Sequence, residues 1–332
     1  MDIRNRQEIT SFASQRLASA PQEKRIILIY TSLVIGVNLL SVVLGYVLGL
    51  QIDQSTGLRG LSTRRTLSTI QTMLPIIQSM LVMCLDLGYV STMLRVARGQ
   101  YASPNGLRLG FDRFWVLLRS QIILGLFYVG ICFVSVYAAS LIYMMTPLSA
   151  KTKELILPLM SQVSVLSPEV LMDDATYAQL LSTMTPVFVL FGILFLVMYI
   201  PVTYRFRMTK YIIIEKPGIS AITALRASRI MMRGNAVNLF KLDLRLWWYY
   251  LAMTVSTVIC YGDQLLPALG VQLPISADVA YFLFYAAYWV LQAALYVFLR
   301  NRVEVSYALA YDAIRPEEKK PEGVVLGNIF QM

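Results

Sequence analysis

Residues 26–50 read IILIYTSLVIGVNLLSVVLGYVLGL, without one charged side chain. A bilayer core about 30 Å thick is crossed by about 20 mainly apolar residues in a helix, and this stretch is long enough. It is too long for a signal-peptide core and no small-residue cleavage site follows it, so it reads as a retained anchor. Five more apolar runs follow: Ile70 to Leu94, interrupted by Asp86; Ser120 to Met145; Pro186 to Tyr204; a short run from Leu246 to Tyr261; and Val279 to Leu299. The sequence therefore predicts an all-α, polytopic membrane protein with six transmembrane helices. Its parts are an N-terminal tail (1–25), a six-span membrane domain (26–300) and a C-terminal tail (301–332).

Composition supports this reading. The chain has 332 residues, of which 57% are hydrophobic and 14% charged, against roughly 25% charged in an average soluble domain. Too few charges are present to coat a water-exposed surface, and the chain is too apolar to be disordered. Lys and Arg number 29 and Asp and Glu 19, a net charge of +10. In a membrane protein that excess marks loops facing anionic lipid headgroups, not nucleic acid. Histidine is absent, which removes the commonest general base and neutral metal ligand. Cys84, Cys132 and Cys260 lie far apart in apolar runs, so they read as small buried hydrophobes and not as a disulfide or zinc site. No metal and no cofactor is expected.

The cations set an orientation. Of the 29 Lys and Arg residues, 24 fall in the two tails, at Arg300 on the edge of the second, and in the loops 95–119 and 205–245. The other side holds Arg59, Arg64, Arg65, Lys151 and Lys153. The positive-inside rule then places both termini in the cytoplasm, with the Arg59, Arg64, Arg65 cluster as the one local dissent. Trp247, Trp248, Tyr249 and Tyr250 open the short fifth run where an aromatic belt belongs. Pro201 is placed to bend or loosen the end of the fourth.

Three segments between spans carry further information. In 101–119, Phe111, Phe114, Trp115 and Leu118 recur at helical spacing after Pro and Gly turn signals, which predicts an amphipathic helix lying in the interface. In 218–233, Ser220 is placed to cap a second such helix. There Arg226, Arg229 and Arg233 share one edge. Ala221, Ala224, Ala227, Ser228, Met231 and Met232 form the opposite face, although Ile222 falls on the Arg side. The long external loop 147–182 is expected to cap the outer mouth, with a helix start at Ser167-Pro168-Glu169.

Three stretches resemble one family. LRVARGQYASPNGLRLGFDRFWVLL (94–118) is similar to an LxxARGE-like turn followed by a GFKRFWxxLL-like run. KYIIIEKPGISAITALRASRIMMRGNAVNLFKLDLRLWWYYL (210–251) resembles YILADNPxxSxxEALxxSRxxMKGxKxxLFxLxLSFIGWxLL. VEVSYALAYDAI (303–314) resembles MQVSYAxFYDDL. Together they resemble the bacterial membrane-protein family catalogued as domain of unknown function 975, over roughly residues 20 to 315. The resemblance implies a polytopic protein of the bacterial plasma membrane with no assigned activity. Arg245, where the pattern is uncharged, departs from it and shortens the fifth span.

Two functions are expected from these residues. The first is a non-catalytic membrane protein that organises anionic lipid, or a partner complex, through Arg226, Arg229 and Arg233. The second is a transporter of a small solute or ion. Its best residue is Asp86, an acid well inside a predicted span and costly in hydrocarbon unless it pairs with Arg95 or a loop Arg. No catalytic residue is identified: no second intramembrane carboxylate accompanies Asp86, and no phosphate-cradling Gly-rich loop is present. A polar cavity reaching Asp86 would favour transport, and a solid apolar core would favour the organising role.

Overall fold

The structure, a computed structural model, describes residues 3, 5–54, 57–154, 174–268, 270–271 and 274–315. Helices make up its regular structure, and no strand occurs among the described residues. In chain order they are α1 (Arg6–Ala18), α2 (Glu23–Gln54), α3 (Gly57–Ala97), α4 (Phe114–Met144), α5 (Asp174–Phe206) and α6 (Thr209–Glu215). Next come α7 (Ala221–Met231), α8 (Ala236–Arg245), α9 (Trp247–Cys260), α10 (Gly262–Ala268), α11 (Ala277–Leu295) and α12 (Asn301–Ile314). Among the described residues, five stretches are long and apolar enough to cross a membrane: Glu23–Ile52, Ser62–Ala97, Phe114–Met144, Ser182–Glu215 and Val279–Ile314. The short predicted span becomes α9, whose 14 residues cover about 21 Å, less than a bilayer core.

The chain divides into two compact units, one formed by residues 1–118 and 207–332, the other by 119–206. In the first, α2 and α3 run antiparallel. Gln71 Nε2 donates to the Gly45 carbonyl (3.4 Å), Gln78 donates to Asn38, and Tyr30 stacks on Tyr89 with centroids 4.5 Å apart. In the second, the α4 and α5 segments form another antiparallel pair. Phe127 stacks on Phe206 (5.8 Å), Tyr128 lies tilted against Tyr199 (4.9 Å), and Tyr143 Oη donates to the Thr183 carbonyl (3.1 Å). Pro186 and Pro201 both lie inside α5, which continues to Phe206.

The core is mainly apolar, but the exterior is apolar too, and several polar groups are buried. Leu126, Phe133, Val197 and Val290 face outward, whereas Arg300, Asn301 and Asp243 are buried. In water such an apolar exterior would be an aggregation surface. Against hydrocarbon it is the favourable arrangement, since the polar groups then find their partners inside.

Several expectations are corrected. Residues 1–25 and 301–332 are expected to be tails; within their described parts α1 buries Ile9, Thr10 and Ala13, and α12 buries Val303, Val305, Ala308 and Tyr311. The helix that carries the run Val279 to Leu299 does not stop at Leu299, because a π-helical turn (Tyr296–Arg300) joins α11 to α12. No Gly or Pro interrupts that stretch, so nothing forces the helix to end. Nor is 101–119 one amphipathic helix. Ser103 caps a 3-10 turn (Pro104–Arg108), one α-helical turn follows (Leu109–Asp112), and the chain breaks at Arg113 before α4. Close packing on α3 explains the break. A Cβ at Gly88 would collide with the Leu107 carbonyl, and one at Gly110 with the Cys84 carbonyl. Of the external loop 147–182, residues 155–173, with Ser167-Pro168-Glu169, lie outside the described residues.

Candidate functional site

Asp86 lies on α3, and both its carboxylate oxygens are engaged. Lys210 pairs with Oδ2 and Arg300 with Oδ1. The sequence-level partner Arg95 is instead exposed. Arg300 sits in the π-helical turn, a backbone irregularity that re-aims side chains and recurs at functional positions. Its Nη1 donates to Tyr30 Oη (2.8 Å). Its guanidinium carbon stands 4.7, 5.0 and 4.6 Å from the ring centres of Tyr30, Tyr89 and Tyr296. Three aromatic faces and one carboxylate thus replace the hydration a buried guanidinium loses. Beside it, Tyr89 Oη donates to Asn301 Oδ1 (2.5 Å), and Asn301 Nδ2 donates to Glu23.

Two further ionic groups flank this centre. Tyr307 donates to Asp243. Arg207 Nη2 lies 3.7 Å from Asp243 Oδ2 and donates to Tyr250 Oη (3.0 Å). At the end of α3, Arg98 chelates Asp312 through Nε (3.0 Å) and Nη2 (2.6 Å) and also pairs with Glu215, which accepts from Arg315 (2.5 Å) and Tyr311 (2.6 Å). The bonds to Asp312 and Glu215 hold the Arg98 guanidinium above its ordinary pKa, outweighing partial burial. Five cations counted as loop or tail charges (Arg98, Arg207, Lys210, Arg300 and Arg315) therefore meet acids inside the first unit.

A cavity of about 260 Å³ opens between these groups, lined by Val90, Arg207, Met208, Lys210, Tyr211, Glu304 and Tyr307. Asp86 does not line it; its partner Lys210 does. Glu304 accepts no hydrogen bond among the described residues, and its nearest cation is Arg300 Nε at 3.9 Å.

The other predicted site lies on α7. Ser220 Oγ accepts from the Thr223 N–H (3.2 Å). Ala221, Ala224, Leu225, Ser228 and Met232 are buried, while Arg226, Arg229 and Arg233 are exposed. Ile222 and Ile230 are exposed as well, at 62% and 69%. The structure thus keeps the three arginines on one outward edge and adds aliphatic groups beside them. They are not brought near Asp86 by any bond or ion pair.

Sequence reasoning missed Arg300, Lys210 and Glu304. A signal was present: Tyr296, Arg300 and Glu304 recur every four residues, placing them on one helical face, and no Gly or Pro interrupts the chain from Tyr296 to Tyr311, so one helix can carry all three. Among the described residues no group of His, Cys, Asp and Glu is arranged to hold a metal ion.

The fold and the ionic interior define an all-helical protein, among its described residues, with five helices fit to cross a membrane. The chain belongs to the family described as protein of unknown function (DUF975), which matches residues 1–315. No curated protein and no solved structure matches it.

Proposed function

We propose that this is a non-catalytic integral protein of the bacterial plasma membrane that organises anionic lipid, or a lipid-bound partner, on the cytoplasmic side. The observation that carries this reading is α7. Exposed Arg226 and Arg229 alternate with exposed Ile222 and Ile230 on a helix whose small-residue face is docked, and exposed Arg233 follows in the turn after it. Cations at headgroup level with aliphatic side chains reaching the acyl boundary are what an interfacial helix presents. Six crossings with both termini cytoplasmic fit the cation count. The short α9 gains length from α10, because only Tyr261 separates them and Leu265 N–H bonds the Tyr261 carbonyl (2.9 Å). The test is lipid analysis of the protein extracted in polymer nanodiscs. Wild type should enrich phosphatidylglycerol over phosphatidylethanolamine, and Arg226→Gln/Arg229→Gln/Arg233→Gln should lose most of that enrichment. Equal enrichment in both would refute the reading.

Transport of a small polar solute is the second reading, and the cavity beside Glu304 favours it. Asp86, closed off by two cations, is no longer its best residue. A Glu304→Gln variant that lost a solute-dependent growth or resistance phenotype while Asp86→Asn kept it would support transport. Indifference to both substitutions would remove it.

A further inference from the structure

Where α1 meets α8 lies an open cleft of about 550 Å³, lined by Asn5, Arg6, Gln7, Lys241, Leu244 and Arg245. Three cations converge there and no acid lines it. Arg245 Nε donates to Thr10 Oγ1 (3.1 Å), which fixes that guanidinium against α1. The nearby Glu8 carboxylate is turned to its own helix cap, accepting from Asn5 Nδ2 (3.0 Å). None of Arg6, Lys241 and Arg245 forms an ion pair among the described residues, whereas the cations of the buried clusters each meet an acid. Arg6 Nε–H is in addition buried with no acceptor. Such a donor is costly unless something supplies one.

We infer that this cleft binds a phosphate oxyanion, carried by the headgroup of an anionic glycerophospholipid. Arginine presents paired donors that match phosphate oxygens, and lysine adds a point charge. The neighbouring stripe of α8 supplies the other half of the ligand's chemistry. Val237, Phe240 and Leu244 recur at helical spacing and are 61%, 40% and 55% exposed, and Trp247 follows at 59%. A phosphodiester seated on Lys241, Arg245 and Arg6 would lay its glycerol and acyl carbons along that stripe. The inference rests on the lipid-organising reading but names a separate place: α7 offers a basic edge, whereas this cleft offers one concave seat.

The experiment uses the full chain, delipidated in detergent, with native mass spectrometry reading bound phosphatidylglycerol, and inorganic phosphate titrated in a separate arm. Wild type should retain one phosphatidylglycerol through washing. Lys241→Gln/Arg245→Gln should weaken that binding by roughly tenfold or more, as expected from removing two surface cations. Lys241→Glu alone keeps the Arg245–Thr10 contact, should weaken it likewise, and serves if the double variant fails to fold. Arg226→Gln/Arg229→Gln/Arg233→Gln should leave the single tight lipid in place. Retention of that lipid in both cleft variants overturns the inference while sparing the α7 reading. Cleft-dependent binding of inorganic phosphate with no lipid preference keeps the oxyanion seat but overturns its lipid source, and so the inference.

Discussion

Asp86 and Arg300 are 214 residues apart in the chain and form an ion pair that joins α3 to the π-helical turn before α12. Lys210, just inside α6, closes the other oxygen of the same carboxylate. One acid thus ties three separate segments of the first unit. It does so where water cannot compensate a lost partner.

Removing the acid should therefore cost more than removing the whole arrangement. Asp86→Ala leaves Arg300 buried, and the part-exposed Lys210, without their counter-ion and is expected to destabilise the protein by about 3–5 kcal/mol. Asp86→Leu combined with Arg300→Met and Lys210→Met should cost less than that single change. Thermal unfolding in detergent, followed by intrinsic tryptophan fluorescence, decides the order.

Gly88→Ala and Gly110→Ala should each lower stability by about 1–3 kcal/mol or more, since the added methyl meets backbone that has nowhere to move. Gly125→Ala, where nothing lies within 4 Å, should be neutral. The same unfolding assay checks all three, and a neutral Gly110→Ala would mean that the 104–112 segment does not press on α3.

The Asn38–Gln78 bond, backed by Asn38 Nδ2 donating to the Val34 carbonyl (2.6 Å), joins α2 and α3 through their apolar length. Asn38→Leu should cost about 1 kcal/mol, the scale of interhelical polar bonds in bilayers. A double-mutant cycle with Gln78→Leu should then recover most of the loss.

Arg98→Gln removes the cation that holds Asp312 and Glu215 together. The end of α12 should loosen by about 1.5–3 kcal/mol, the scale of hydrogen bonds to charged groups. Hydrogen exchange should rise in residues 305–314 while α2 stays protected. Unchanged protection of 305–314 would show that the buried Tyr311 and Val305 contacts suffice.

The five long apolar runs were legible because lipid imposes length and hydropathy on a spanning helix, and 26–50 displays both without interruption. The outward edge of Arg226, Arg229 and Arg233 was legible from helical spacing and a Ser220 cap. The ionic interior was not. Arg300 and Lys210 read as ordinary loop charges, because a cation marks the end of a span unless its acid partner is known, and that partner lies on another helix. The tails were misread for a related cause. Polar residues along α1 and α12 hide the sparse buried set of Ile9, Ala13, Val303 and Val305, whose partners are each other's helices. In 101–119 the glycines at 106 and 110 signalled a turn, but only the approach of α3 explains why the backbone had to break there.

The proposal that six helices cross the bilayer with both termini in one compartment turns on α9 with α10. Reporter domains fused at residue 1 and at residue 332, scored for periplasmic or cytoplasmic activity, test it directly. The account predicts that both ends report the cytoplasm. Ends on opposite faces would mean that only the five long helices cross, and would contradict it.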